Sequence, residues 1–236
     1  MNLILLHPSD FIAPATVRLA GRRLDHVREI LKPAVNDALT VGLEGGHTGT
    51  GRVTAIDDRV LVMEVVLTES PPPKLPVILC LALMRPIVLK RAIQTAVSMG
   101  VEEIILLHSR RVEKSFWQST VLGDGELREL AILGLEQAKD TVVPGISFQK
   151  RFKPFVEDVL PVLIKGRAGV AADPGGELLT GRDMAGPLVL VIGPEGGFIP
   201  YEIEKLKQAG CRVVSLGPRV LKVETAIVAL LAKLFL

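Results

Sequence analysis

The chain has 236 residues, 28 Lys+Arg against 26 Asp+Glu for a net charge of +2, and 48% hydrophobic residues. That length allows one large or two modest domains, and that apolar fraction excludes disordered and collagen-like classes. No apolar run reaches the roughly 18 residues of a membrane span. The opening Met1-Asn2-Leu3-Ile4-Leu5-Leu6-His7-Pro8 lacks a basic leader and reads as a first strand. Cys80 and Cys211 have no metal-ligand spacing and stand in apolar strand contexts, so they read as buried reduced thiols. These features point to a cytoplasmic protein with no membrane or metal partner.

The first part of the chain reads as small and mostly β. A short helix is expected around Leu24 to Leu31, then alternating strands at Ala38–Leu43, Thr50–Ile56 and Val60–Leu67, separated by Glu44-Gly45-Gly46-His47 and Asp57-Asp58. Short strands at this spacing suggest a compact barrel. Ser70-Pro71-Pro72-Pro73-Lys74 is a stiff linker, which divides the chain into domains at 1–70 and 74–236.

Beyond the linker the pattern changes to alternating strands and helices, an α/β class. Val77–Leu83 is a continuous apolar run, as in a strand buried on both faces. Leu89, Ile93, Ala96 and Val97 follow at helical spacing, with Gly100 placed as a stop. Ile104–Leu107 is the next strand, and a helix over roughly Glu126–Lys139 leads to Gly145–Phe148. Ala168–Ala172 reads as a strand ended by Asp173-Pro174-Gly175-Gly176. Apolar runs at Leu188–Ile192 and Val213–Leu216 each run into a glycine turn. Between them lies a helix opened by Pro200, Glu202 and Glu204, closed by Lys205 and Lys207, and stopped at Gly210. The last helix, Thr225–Leu236, is apolar almost all round, so its own sheet or a partner subunit must cover it.

The two glycine turns carry the chemistry. Gly193-Pro194-Glu195-Gly196-Gly197-Phe198 and Leu216-Gly217-Pro218-Arg219-Val220-Leu221-Lys222-Val223-Glu224-Thr225-Ala226 both follow strands, where open α/β sheets bind ligands and glycine lets backbone approach them. With Asp173-Pro174-Gly175-Gly176 they suggest one pocket lined by backbone amides and carbonyls, suited to a ligand with many hydrogen-bonding edges such as adenosine. There is no G-x-G-x-x-G and no G-x-x-x-x-G-K-[ST], which disfavours dinucleotide and P-loop sites. The histidines are scattered, and His108 reads as a packed strand-end side chain. Basic clusters at Arg18, Arg22, Arg23 and Arg28, with His26 among them, and at Arg110, Arg111 and Lys114 fit RNA contact or simply a solvated face. Aromatics are only 4%, which argues against a base-stacking platform of the RNA-recognition-motif kind, so any RNA contact is expected through backbone charge and shape.

At the two loops the sequence resembles the RsmE family of the SPOUT superfamily, whose members methylate N3 of a uridine in 16S ribosomal RNA. The likeness extends to Leu81-Ala82-Leu83, Met99-Gly100-Val101, Glu136-Gln137 and the small N-terminal domain, and so spans the chain. It implies a trefoil-knotted C-terminal domain, an N-terminal PUA-like β-barrel, a homodimer and S-adenosylmethionine as methyl donor. Carried over by position, Ile192, Gly193, Gly196, Gly197, Leu216, Gly217, Leu221 and Thr225 would line the cofactor pocket. Arg219 and Glu195 would stand near the chemistry, and Arg22, Arg23, His26, Arg28, Arg110 and Arg111 would face RNA. The chain departs from the family pattern at Met84-Arg85-Pro86, usually Pro-Lys-Gly, and at Gln94-Thr95-Ala96-Val97-Ser98-Met99-Gly100, usually Glu-Lys-Ala-Thr-Glu-Leu-Gly. It departs again at Asp140 and Val142, usually basic, and at Lys222-Val223, usually Arg-Thr. Three readings stay open: a uridine N3-methyltransferase of 16S rRNA, a SPOUT methyltransferase with another RNA target, and a knotted RNA-binding protein without catalysis.

Overall fold

The structure, a computed structural model, describes residues 2–180 and 186–235. Met1 and Leu236, with which the expected first strand begins and the expected last helix ends, lie outside the described residues. The chain forms two compact units. One comprises the residues up to Pro73 together with Ile132–Val143; the other comprises Lys74–Ala131 and Pro144 onward.

The first unit is built on a six-stranded sheet of β1 (Ile4–Leu6), β2 (Phe11–Ala13), β3 (Thr16–Leu19), β4 (Ala38–Leu43), β5 (Thr48–Ile56) and β6 (Leu61–Glu69). Their order is β1-β4-β5-β6-β3-β2, with β1 parallel to β4 and every other pair antiparallel. Alternation along β5 and β6 turns Val53, Leu61, Met63 and Val65 inward, where they meet Ile4, Leu6, Val17 and Val41. The expected helix is α1 (Arg22–His26), continued by a wider turn over Val27–Leu31, and it seals this core with Leu24 and Val27. β2 and β3 had no sequence signal, because strands of three and four residues are too short to display alternation.

The second unit is a six-stranded, wholly parallel sheet of β7 (Leu75–Ala82), β8 (Val101–Leu107), β9 (Gly145–Gln149), β10 (Ala168–Leu178), β11 (Leu188–Ile192) and β12 (Arg212–Ser215). The order is β12-β10-β11-β7-β8-β9. All five residues of β11 are buried, the signature of a parallel strand covered on both faces. α2 (Pro86–Ser98) buries Leu89, Ala92, Ile93, Ala96 and Val97, one stripe at helical spacing, and Gly100 follows it with φ +78°. α3 (Asp124–Ala138) contributes residues to both units. The short α4 (Phe152–Pro154) and α5 (Leu160–Leu163) precede β10, and α6 (Pro200–Gln208) and α7 (Val223–Phe235) follow the two glycine turns. α7 packs on α2 and buries Ile227, Leu230, Leu231 and Leu234.

One expected boundary is corrected. Asp173-Pro174-Gly175-Gly176 does not end a strand; β10 resumes beyond it, its register on β12 shifting between Ala172 and Glu177. The turn residues form a bulge, and Gly176 permits it. A Cβ there would stand 2.7 Å from the Val214 backbone, closer than any side chain tolerates. No helix of the described residues is long and apolar enough to cross a membrane.

Both cysteines are free and buried. Burial pushes the Cys80 thiol well up and the Cys211 thiol to about 12. Below pH 9 folded and unfolded thiols are alike protonated. Between pH 9 and 12 the unfolded chain releases protons that the folded chain keeps, so stability falls as pH rises through that window. We expect the urea midpoint to drop over this interval, and to drop less in Cys211→Ala; equal slopes for the two proteins would contradict this account.

Candidate functional site

A cavity of about 360 Å³ opens at the carboxyl ends of β10, β11 and β12. The two glycine turns form most of its wall, and Val223, Ala226 and Leu230 of α7 close one side. The first turn is held tightly within itself. Gly197 adopts φ +70° and donates to the Pro194 carbonyl at 2.7 Å, while a Cβ on Gly193 would lie 3.2 Å from the Gly197 and Phe198 backbone. Phe198 anchors the end of the turn against Phe152, with ring centroids 6.1 Å apart. In the second turn Gly217 has φ +119°, and its N–H donates to Ser215 Oγ at 3.1 Å.

Glu195 lies in the cavity wall, but its carboxylate is engaged. Oε1 accepts the backbone N–H of Arg85 at 3.2 Å and stands 3.5 Å from Arg85 Nε. Arg85 is the residue that caps the start of α2, so this contact pins the first glycine turn to the positive end of that helix. Arg85 is also where the family pattern carries lysine. A second carboxylate, Asp173, lines the same wall and accepts the Gly175 N–H at 2.9 Å.

Arg111 reaches the cavity from the segment after β8, its guanidinium donating to the Gly196 carbonyl and its stem lying over Gly196. That segment is fixed by Glu202, in the first turn of α6 and only 2% exposed. One oxygen of Glu202 accepts the Arg110 N–H at 2.7 Å; the other accepts the Ile199 N–H at 3.0 Å. A single carboxylate therefore caps the helix that follows the first turn and ties the Arg111 segment to it.

Of the residues singled out from sequence, the fold gathers Ile192, Gly193, Gly196, Gly197, Leu216, Gly217 and Leu221 around this cavity, with Glu195 and Arg219. Thr225 is exposed and stands outside the lining residues. The basic candidates divide. Arg22 pairs with Glu136 at 3.0 Å, and Arg23 with Asp10 at 2.8 Å and the Leu5 carbonyl at 2.9 Å, so both guanidiniums are committed inside the first unit. His26 Nε2 is buried without a partner among the described residues, Arg28 is exposed, and Arg110 and Arg111 lie on the segment after β8. Asp173 and Pro174 line the cavity as the third turn was expected to, whereas sequence reasoning missed Arg111 as a cavity residue and Glu202 as the tie between its segment and the end of the first turn. The capping spacing from Ile199 to Glu202 was the available signal for the last.

Residues 71–235 match the RNA methyltransferase domain family, and the chain belongs to it. The ribosomal RNA small subunit methyltransferase E of Treponema pallidum (strain Nichols) is 26% identical over 236 residues, covering 96% of this chain and 87% of that one. The ribosomal RNA small subunit methyltransferase E 1 of Borreliella burgdorferi is 24% identical over 229 residues, covering 97% and 95%. Among solved structures, a ribosomal RNA small subunit methyltransferase E from Neisseria gonorrhoeae bound to S-adenosyl methionine has the same fold, with TM-score 0.75 at 22% identity over 98% of this chain and 95% of that one. The resemblance to the RsmE family read from the two loops is borne out by these relatives.

Replacing Glu202 with alanine leaves two backbone N–H groups unpaired at a buried site. We expect a loss of about 2–4 kcal/mol, and a smaller loss for Glu202→Gln, whose amide oxygen still accepts one of them. Urea unfolding measures both; a Glu202→Ala loss within error of zero would remove the tie from this description.

Proposed function

We propose that the chain transfers a methyl group from S-adenosylmethionine to N3 of a uridine in 16S ribosomal RNA. The observation that carries this reading is the cavity itself: both glycine turns of a chain in the RNA methyltransferase domain family line one space. Its volume falls within the roughly 300–1,000 Å³ of small-ligand sites. Its wall fits an adenosyl group, with Ile192, Leu216, Leu221 and Leu230 offering apolar contact to ring faces and the loop backbone offering partners to ring edges. Relatives named as small-subunit rRNA methyltransferases, and a structural neighbour that holds the same methyl donor, support it.

Bound there, the donor would present a methyl group on a positively charged sulfur. The rest falls to this chain. Uridine N3 carries a proton at neutral pH, so its loss must be assisted or the resulting negative charge held. Arg219 lies exposed on the cavity wall with no acidic partner among the described residues. Its charge is therefore available to an RNA phosphate or to the negative charge developing on the uracil ring. Glu195, engaged by Arg85, serves to hold the first turn in place. Glycine turns fixed at both ends keep the reacting groups aligned, which is worth more than any single contact.

The same reading takes 1–70 as a PUA-like β-barrel that contacts RNA and 74–236 as a trefoil-knotted SPOUT domain. Support for the knot is the strand order, in which β10, β11 and β12 return beyond β7 after the chain has left for β8 and β9. We read the protein as a cytoplasmic homodimer. Ile87 on α2 and Val228 on α7, helices packed together, remain exposed, as expected of a surface that a second copy covers. Sedimentation at twice the chain mass is the expected result for the dimer.

Calorimetry should register S-adenosylmethionine binding by the wild-type protein. Gly193→Ala should weaken it roughly ten-fold or more, since crowding of about 1–3 kcal/mol falls on the turn that forms the wall. Absence of binding at millimolar donor ends both enzyme readings. For the target, mass mapping of 16S rRNA should show a methyluridine that disappears when the gene is deleted. Its persistence would leave a methyltransferase with another RNA as the reading.

A further inference from the structure

The segment that brings Arg111 to the cavity also carries the chain's single tryptophan. Trp117 is half-buried beside the carboxyl ends of β8 and β9, the latter the outer strand of its sheet. Its Nε1–H donates to His108 Nδ1 at 3.0 Å, which settles the indole's polar edge. His108 and Phe148 flank it with ring centroids 6.3 Å away on either contact, and Lys150 Nζ lies over its ring 5.9 Å from the centroid. Three rings from three stretches of chain thus meet at the edge of the sheet that opens the cavity.

Charge says what this cluster faces. Residues 108–118 hold Arg110, Arg111 and Lys114 against Glu113 alone, and residues 146–153 hold Lys150, Arg151 and Lys153 with no acid. Only Lys153 among these has a carboxylate within ion-pair reach, Glu157 at 4.0 Å, judged among the described residues. None of the large exposed hydrophobic residues falls in either stretch. A surface of half-buried rings ringed by unneutralised cations, with no exposed aliphatic patch, suits a polyanion that carries flat apolar faces.

We propose that Trp117, held by His108 and Phe148, is a stacking platform for an unpaired RNA base at the β9 edge of the sheet whose β10, β11 and β12 ends form the cavity, with Lys150, Arg110 and Lys114 meeting its phosphates. This rests on the RNA methyltransferase reading and names the surface by which the substrate is gripped. An arriving base displaces the Lys150 ammonium from the indole face and frees it for the backbone. Stacking reads no base edge, so the platform gives affinity and register, while the cavity selects the uridine.

The lone tryptophan reports on itself. Titrating hexauridylate into the full-length protein should quench its fluorescence along the same curve that anisotropy of labelled hexauridylate follows. Trp117→Leu should weaken binding about ten-fold, with Trp117→Phe close to wild type. Lys150→Gln should weaken it about two- to three-fold and lower the salt slope by about one. Saturating RNA with no quench, or Trp117→Leu binding as tightly as wild type, overturns the platform and leaves this surface for another partner. Should Trp117→Leu fail to fold by thermal unfolding, the quench and the Lys150→Gln slope decide. Calorimetry with S-adenosylmethionine on each folded variant separates the two readings. Normal donor binding with no RNA response sinks the platform alone, whereas no donor binding by wild type sinks the enzyme.

Discussion

The cavity depends on one buried carboxylate satisfied from two directions. An ionised Glu202 enclosed by protein would cost several kcal/mol if left unpaired, about the margin by which a domain of this size is stable. It is tolerated because two N–H groups from different parts of the chain meet its two oxygens. The consequence is geometric. Fixing Ile199 sets where the first glycine turn ends, and fixing Arg110 sets where the segment after β8 runs. Arg111 then reaches the Gly196 carbonyl, and further along the same segment Trp117 meets His108.

The second tie, between Arg85 and Glu195, is of another kind. Both partners are substantially exposed, so water screens the pair and its contribution to stability is small. What it does is local: it holds a four-residue glycine turn to the start of a thirteen-residue helix. Arginine performs this with its backbone N–H and its Nε together, two contacts on one oxygen. The departures from the family pattern thus divide by consequence. Arg85 takes part in building the cavity wall. Asp140 instead accepts the Thr141 and Val142 N–H groups at 2.7 and 3.0 Å and shapes a turn of the first unit.

Alternation made β4 to β6 legible and helical spacing made α2 legible, because each buries a face long enough to repeat; β7 and β11 showed as continuous apolar runs, and α6 by its charged ends and glycine stop. The glycine turns were legible for a different reason: where backbone must approach backbone or ligand, only glycine fits. What escaped are features decided by residues far apart in the chain. The bulge in β10 reads as a strand end until β12 is alongside it. Arg22 and Arg23 read as free cations, since nothing local reveals that their carboxylates lie 114 and 13 residues away. Arg111 looks like surface charge until Glu202, 91 positions beyond it and bonded to its neighbour Arg110, folds into place.

The same lesson bears on the aromatic content. A low average argues against a base-stacking platform of the RNA-recognition-motif kind. It does not argue against a few rings brought together by the fold, and His108, Trp117 and Phe148 come from a strand end, a short 3-10 turn (Lys114–Gln118) and an edge strand respectively. Because Arg111 and Trp117 share one segment, and that segment hangs on Glu202, the proposed RNA platform and the cavity wall are mechanically joined. In the proposed reading, substitutions in residues 112–118 change how tightly RNA is held while the glycine turns stay unchanged.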